Sequence, residues 1–165
     1  MTAMLILVSG LPGTGKTTFA DALAGTLGAN RLNSDIVRSE LGKRGMYDAE
    51  TKKLIYDELC RRTADFLKKQ ETVIVDATFY KKSLRQLFIE LAEKCGAPWK
   101  WIEICAAETT VEERLKKRRA YSEADYEVHR KIKEGFEPLA FSHLTLWSDQ
   151  TSLEEMVKEA KRYVQ

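Results

Sequence analysis

The segment that most constrains this chain is Gly10-Leu11-Pro12-Gly13-Thr14-Gly15-Lys16-Thr17, followed by Thr18. Its spacing is G-x-x-x-x-G-K-[ST], in which glycines let backbone N–H groups turn inward around a polyphosphate. The flanks agree with that use. Met4 to Val8 is a continuous apolar run of strand length, and Phe19, Ala22, Leu23 and Leu27 have helical spacing. A helix starting here directs the positive end of its dipole at the loop. Lys16 is then placed to reach the β- and γ-phosphates, and the Thr17 hydroxyl to bind Mg²⁺. A chance glycine turn would require neither flank.

The rest of the chain alternates strand and helix. Arg31–Asn33, Thr72–Asp76, Trp99–Cys105 and His143–Trp147 read as further strands. Helices are expected from Lys16 to Leu27, from Ser34 or Asp35 to Gly42, over 49–69 and over 83–95. Three more are expected: from a capping box at Thr110-Val111-Glu112-Glu113, from Ser122-Glu123-Ala124-Asp125 to Gly135 or Pro138, and from Ser152 onward. The inward faces are expected to carry Ile55, Leu59 and Phe66 in the third helix and Leu84, Leu87, Phe88 and Leu91 in the fourth. In the last helix they are Leu153, Met156, Val157, Ala160 and Val164. Alternation demands crossover connections. The expected architecture is therefore a three-layer α/β/α sandwich with a mostly parallel five-stranded sheet. One domain should span residues 1–165, with a helical lid over 114–138.

A chain of 165 residues, 44% hydrophobic and 32% charged, is long enough for a sizeable core. The net charge of +2 neither demands nor excludes a nucleic-acid partner. The three cysteines are scattered, which suits reduced thiols in an intracellular compartment. Met4 to Val8 is too short for a membrane span and has no basic leader. The cytoplasm is the expected location, with no membrane association and no obligate protein partner.

In a parallel sheet, ligands gather beyond the carboxyl ends of the strands. Gly10 to Thr17, Asp35, Asp76 and Glu108 all follow strand ends and should share one edge. In Asn33-Ser34-Asp35-Ile36-Val37-Arg38 an acid and an arginine three apart project from one face of a first helical turn. Two readings fit. Asp35 accepts the proton of an attacking hydroxyl while Arg38 holds an anionic group of the acceptor, or the two form a surface ion pair. Asp76 ends an apolar strand and either helps to hold Mg²⁺, directly or through water, or caps the next segment. Thr78 stands near enough in sequence to help orient Asp76. The basic run from Arg114 to Arg119 either covers the transferring phosphate, with Arg118 in that role and Arg114 and Arg119 assisting, or is a solvated helix face.

The chain has no N-K-x-D and no L-S-G-G-Q, and it is short for a mechanical ATPase. A compact phosphotransferase remains. The combination of Gly10-x-x-x-x-Gly15-Lys16-Thr17-Thr18, Asn-Ser-Asp-x-x-Arg, Val-Ile-Val-Asp-Ala-Thr-Phe and Glu-Arg-Leu-x-x-Arg resembles the polynucleotide-kinase-like P-loop kinases. That group sits beside zeta toxins, gluconate kinases and adenylylsulfate kinases. Ser122 to Val128 and Phe136-Glu137-Pro138 also resemble the lid region of small kinases in this group.

The resemblance implies a P-loop NTPase fold of nucleotide-kinase type that takes ATP and Mg²⁺. It also implies Asp35 as general base toward a hydroxyl, Arg38 on the acceptor, and a lid arginine on the ATP phosphates. The acceptor is a nucleic-acid 5′ end or a small molecule such as a sugar. The rival is a nucleotide-binding regulatory ATPase with no acceptor. Phe79 and Tyr80 either stack on a base or pack internally. His129 and His143 read as structural, and Trp99, Trp101 and Trp147 as core or edge packing. Lys81, Lys82 and Arg85 either touch an anionic acceptor or form the wet face of a helix.

Overall fold

The computed structural model describes residues 2–117 and 123–165. Five strands, β1 (Leu5–Ser9), β2 (Asn30–Asn33), β3 (Val73–Asp76), β4 (Trp99–Cys105) and β5 (Leu144–Trp147), form one sheet in the order β2-β3-β1-β4-β5. All four pairings are parallel. Helices α1 (Lys16–Leu27), α2 (Ser34–Glu40), α3 (Ala49–Lys68), α4 (Lys82–Lys94), α5 (Glu108–Lys116), α6 (Glu123–Glu134) and α7 (Leu153–Val164) fill the connections.

Side chains alternate across a strand, and β1 divides its residues between two cores accordingly. Leu5 and Leu7 face a cluster with α3 and α4 that includes Ile55, Leu59, Phe88 and Trp101. Ile6 and Val8 face a cluster with α1 and α7 that includes Phe19, Leu23, Met156 and Ala160. Both faces of the sheet are covered, so β1 is apolar from Leu5 to Val8 and none of these four aliphatic side chains is accessible. Each such side chain contributes roughly 1.5–3 kcal/mol of burial. The expected three-layer parallel architecture is the observed one.

Several local expectations are corrected. Thr110 does not open α5; that helix begins at Glu108, and its N-cap residue, Ala107, offers no side-chain cap. The Ala107 amide instead donates to Asp149, a partner 42 residues away that no local pattern could announce. Leu87 and Leu153 point outward, at 44% and 41% exposure. The inward face of α4 is rotated to Arg85, Phe88, Ile89 and Ala92. Arg85 is therefore not on a wet face; it is 1% exposed. No described helix is long and apolar enough to cross a membrane. Cys60, Cys95 and Cys105 are free thiols, and burial pushes Cys60 and Cys105 up to about 11.

Candidate active site

The parallel sheet brings the ends of β1, β2 and β3 to one edge, and the site is built there. After β1 the chain enters the glycine loop. A Cβ on Gly10 would lie 2.6 Å from the Ile104 carbonyl oxygen, so only glycine lets the loop leave the sheet this close to β4. Gly13 and Gly15 have φ of 83° and 89°, left-handed values that glycine adopts without strain. Thr14 is buried and ties the turn by donating its hydroxyl to the Leu11 carbonyl at 2.8 Å. Gly15 caps α1 without a side chain, so the first-turn N–H groups of that helix are left to a ligand. Thr17 and Thr18 are exposed there.

Asp76 at the end of β3 is fully buried and is the hub of the edge. Lys16 Nζ lies 3.1 Å from its Oδ1, off the hydrogen-bonding direction, so that oxygen has a charge partner and no hydrogen bond. Its Oδ2 accepts from Asn33 Nδ2 at 2.7 Å and from Arg31 at 3.4 Å. Asn33 works at both ends of its amide. Its Oδ1 accepts from the amides of Asp35 and Ile36 and thereby caps α2. One side chain thus joins the start of α2 to the acid beside Lys16. Asn33 is a residue that sequence reading passed over. Its signal is its rank among N-cap residues directly before the turn that carries Asp35.

Asp35 is exposed and Arg38 buried, and they pair at 2.7 Å. Arg38 also donates from Nε to the Met46 carbonyl at 3.1 Å and lies 4.5 Å from the Tyr47 ring centroid. The guanidinium is held on three sides, unlike that of an ordinary surface pair. Buried Tyr56 of α3 faces the same place. Burial raises its hydroxyl above the ordinary tyrosine value, with the charges of Arg38 and Asp35 acting on it as smaller influences. The Phe79 amide donates to that hydroxyl at 3.2 Å.

Phe79 is a packing residue. It sits fully buried among Tyr56, Phe88 and Trp101, at a φ of 51°. Tyr80 remains at the surface of the site. Arg85 fastens this loop from below. It donates to the carbonyls of Phe79, Tyr80, Glu137 and Pro138, and burial lowers its pKa, opposed by Glu137 and Glu103. The Glu137 amide adds a bond to the Tyr80 carbonyl at 2.8 Å. The segment that follows α6 is therefore stitched to the loop that follows β3.

Arg114 of α5 reaches the glycine loop from the opposite side. It donates to the Gly13 carbonyl at 3.2 Å and to Ser148 Oγ at 2.9 Å, while Ser148 donates to the Thr14 carbonyl. Ser148 carries no sequence motif; only the meeting of β5 with the loop reveals it. Beside this clamp a cleft of ≈ 340 Å³ is lined by Gly15, Thr18, Arg114, Ser148, Thr151 and Leu153, among others. Arg118 and Arg119 lie outside the described residues. Thr78 is half-buried two residues after Asp76, whose Oδ2 bonds to Asn33 and Arg31. His129 is buried, and His143 donates from Nδ1 to the Phe141 carbonyl at 2.8 Å. Trp101 is buried and donates to Ser9 Oγ at 2.8 Å, whereas Trp147 is at the sheet margin and 42% exposed.

A parallel sheet whose first strand runs through a glycine loop into a helix, with a buried acid ending the neighbouring strand, defines a P-loop nucleotide-binding protein. Over residues 5–139 the chain matches the family model described as an AAA domain, AAA_33, and it belongs to that P-loop kinase family. An L-seryl-tRNA(Sec) kinase from Methanococcus maripaludis is 30% identical over 97 residues, 56% of this chain and 37% of that protein. The chain thus spans little more than a third of that curated relative. The solved structure of APE1195 is similar with a TM-score of 0.84 at 22% identity, over 99% of this chain and 95% of that one. The Mycobacterium tuberculosis APS kinase in complex with AMPPNP and APS has a TM-score of 0.78 at 17% identity, over 99% and 98% of the two chains. At these identities the likeness concerns the fold.

Proposed function

We propose that this protein is an ATP-dependent kinase that transfers the γ-phosphate to a hydroxyl acceptor. The observation that carries the reading is the continuous link from Lys16 through Asp76 and Asn33 to Asp35 and Arg38. It fixes a phosphate-binding lysine and an acid able to take a proton at one edge of the sheet. A carboxylate beside a buried arginine suits the activation and holding of an acceptor hydroxyl.

In this reading the loop amides from Gly10 to Thr18 and the Lys16 ammonium bind the triphosphate, and Arg114 with Ser148 holds the loop in shape. The cleft beside Ser148 takes the nucleoside. Asp35 accepts the acceptor hydroxyl's proton while the new O–P bond forms and the bond from the γ-phosphorus to the β,γ-bridging oxygen breaks, leaving ADP. Arg38 positions the acceptor. Arg118 closes over the transferring group as part of the 114–138 lid, which excludes water so that the phosphate is not lost to it.

The donor set also fits Mg²⁺. Asp76 presents a buried oxygen without a hydrogen bond, and the Thr17 hydroxyl is exposed beside the loop. Among the described residues no cluster of three acids, histidines or cysteines holds a metal alone. That suits an ion taking its remaining ligands from water and the nucleotide's phosphates. Its chemistry would be to neutralise charge on the β- and γ-oxygens. Thr17 and Asp76 are the side chains that would hold it.

For the acceptor, a nucleic-acid 5′-hydroxyl is the first candidate, on the resemblance of the motifs to polynucleotide kinases. A sugar or similar metabolite is the second. Radiolabelled ATP offered with 5′-hydroxyl DNA, 5′-hydroxyl RNA and a panel of sugars tests the reading. Label on one acceptor is the expected result. Free phosphate with no labelled acceptor would favour the regulatory ATPase instead.

A further inference from the structure

Two lysines stand over the acceptor side of the site, and nothing in the chemistry so far uses them. Lys52 lies in the first turn of α3, and its Nζ is 4.7 Å from the centroid of the Tyr80 ring. Lys81, the N-cap residue of α4, approaches the same ring to 5.6 Å. Lys52 precedes Tyr56 by one helical turn, so it shares the face of α3 that looks toward Phe79, Asp35 and Arg38.

The neighbouring acids are occupied. Asp35 is bonded to Arg38. Asp48 spends both oxygens on Thr51, accepting from its amide at 3.0 Å and from its hydroxyl at 2.7 Å. Among the described residues neither lysine is within ion-pair distance of a carboxylate. The crowding is felt: burial lowers the pKa of Lys52, and the charges of Lys81 and Arg38 lower it further. Two lysines therefore converge on the Tyr80 ring, with the Arg38 charge acting on Lys52 and the nearby Asp35 carboxylate already bonded to Arg38. A folded chain gains nothing from that repulsion, and an incoming anion would relieve it. The Tyr80 backbone is anchored beneath the ring, because its carbonyl accepts from Arg85 and from the Glu137 amide.

The geometry points to an anion subsite formed by Lys52, Lys81 and the Tyr80 ring, which binds a carboxylate or phosphate carried by the acceptor close to its reacting hydroxyl. The inference rests on the kinase reading for the identity of the bound molecule as an acceptor. It restricts that reading: neutral sugars and polyols are poor ligands, and a sugar acid or a nucleotide with a phosphate near the hydroxyl is a good one.

Two matched pairs test it: gluconate beside glucose, and adenosine 3′-monophosphate beside adenosine. Calorimetric titration into protein saturated with AMPPNP and Mg²⁺ measures binding, and radiolabelled ATP measures transfer. The charged member of one pair should bind at least about tenfold more tightly than its neutral partner. It should lose roughly tenfold in each of Lys52→Met and Lys81→Met, with AMPPNP affinity unchanged. The pair that responds tells carboxylate from phosphate. Equal binding of charged and neutral members, charged binding that both variants leave unmoved, or no binding of either charged member would overturn the subsite. A charged ligand that binds through the lysines but never receives phosphate would overturn the kinase reading and leave the subsite standing.

Discussion

The two halves of the site are built by different means. The donor half is a backbone construction, made of glycines, a helix start and carbonyls clamped by Arg114 and Ser148. Its backbone path comes from a short continuous stretch, which Arg114 and Ser148 brace, and the ligand atoms it suits, phosphate oxygens, are the same in every nucleoside triphosphate. The half proposed for the acceptor is a side-chain construction. Asp35 and Arg38 come from α2, Lys52 and Tyr56 from α3, Tyr80 and Lys81 from the loop after β3, and the tether of that loop from Glu137 and Pro138. No continuous segment contains it. Phosphate binding common to a whole class of proteins can reside in a local motif, whereas the proposed choice of acceptor would depend on the assembly of distant elements.

That contrast can be broken by substitution. The largest effect is expected on the donor side. Lys16→Ala should lower kcat by about a thousandfold through loss of charge stabilisation on the transferring phosphate. Asp76 keeps Asn33 and Arg31 as partners, so the circular dichroism spectrum should be preserved. Retained turnover in a folded variant would contradict the donor assignment. Next comes Asp35→Asn, with a fall in kcat of about a hundredfold or more and an unchanged AMPPNP dissociation constant. A loss confined to nucleotide affinity would move Asp35 out of the acceptor half.

Arg85→Met sharpens the comparison from another direction. It leaves four carbonyls without their cationic donor, which should reduce stability by roughly 2–4 kcal/mol, read as a lower denaturant midpoint. Because those carbonyls belong to the loop of Tyr80 and the segment after α6, acceptor KM should rise while ATP affinity holds. Equal changes for both substrates would mean that the tether serves the whole edge. The smallest effect belongs to Ser148→Ala. Arg114 keeps its bond to Gly13, so a rise in ATP KM of only about threefold to tenfold is expected, with acceptor KM constant.

Much of this molecule was legible before any coordinates. The apolar runs and their alternation with helical stretches require parallel strands covered on both faces, and β1, β3 and β4 are where they were expected. Asp76 pairs with Lys16 at the edge, and Asn33 links that pair to the turn that carries Asp35 and Arg38. Where reading along the chain failed, a distant partner had intervened. Arg85 looks like an exposed helix residue until the carbonyls of Glu137 and Pro138 arrive, more than fifty positions away, to accept its protons. Leu87 has the spacing of a core residue, but the inward face of α4 is set by Phe88 meeting Phe79, which turns Leu87 toward solvent. Thr110 fits a capping pattern, yet α5 begins two residues earlier at Glu108, where Asp149 takes up the preceding amide.

By itself the chain determined the phosphate loop, because glycine stereochemistry and the strand–loop–helix order act between near neighbours. It also determined the sheet, because periodic burial is written into composition along each element. Only the tertiary structure decided that Asn33 joins α2 to Asp76, that Ser148 braces the loop, and that two lysines share the ring of Tyr80. Those are encounters between side chains far apart in sequence. Their free energies depend on distance and on what water has been removed, neither of which a string of residues records.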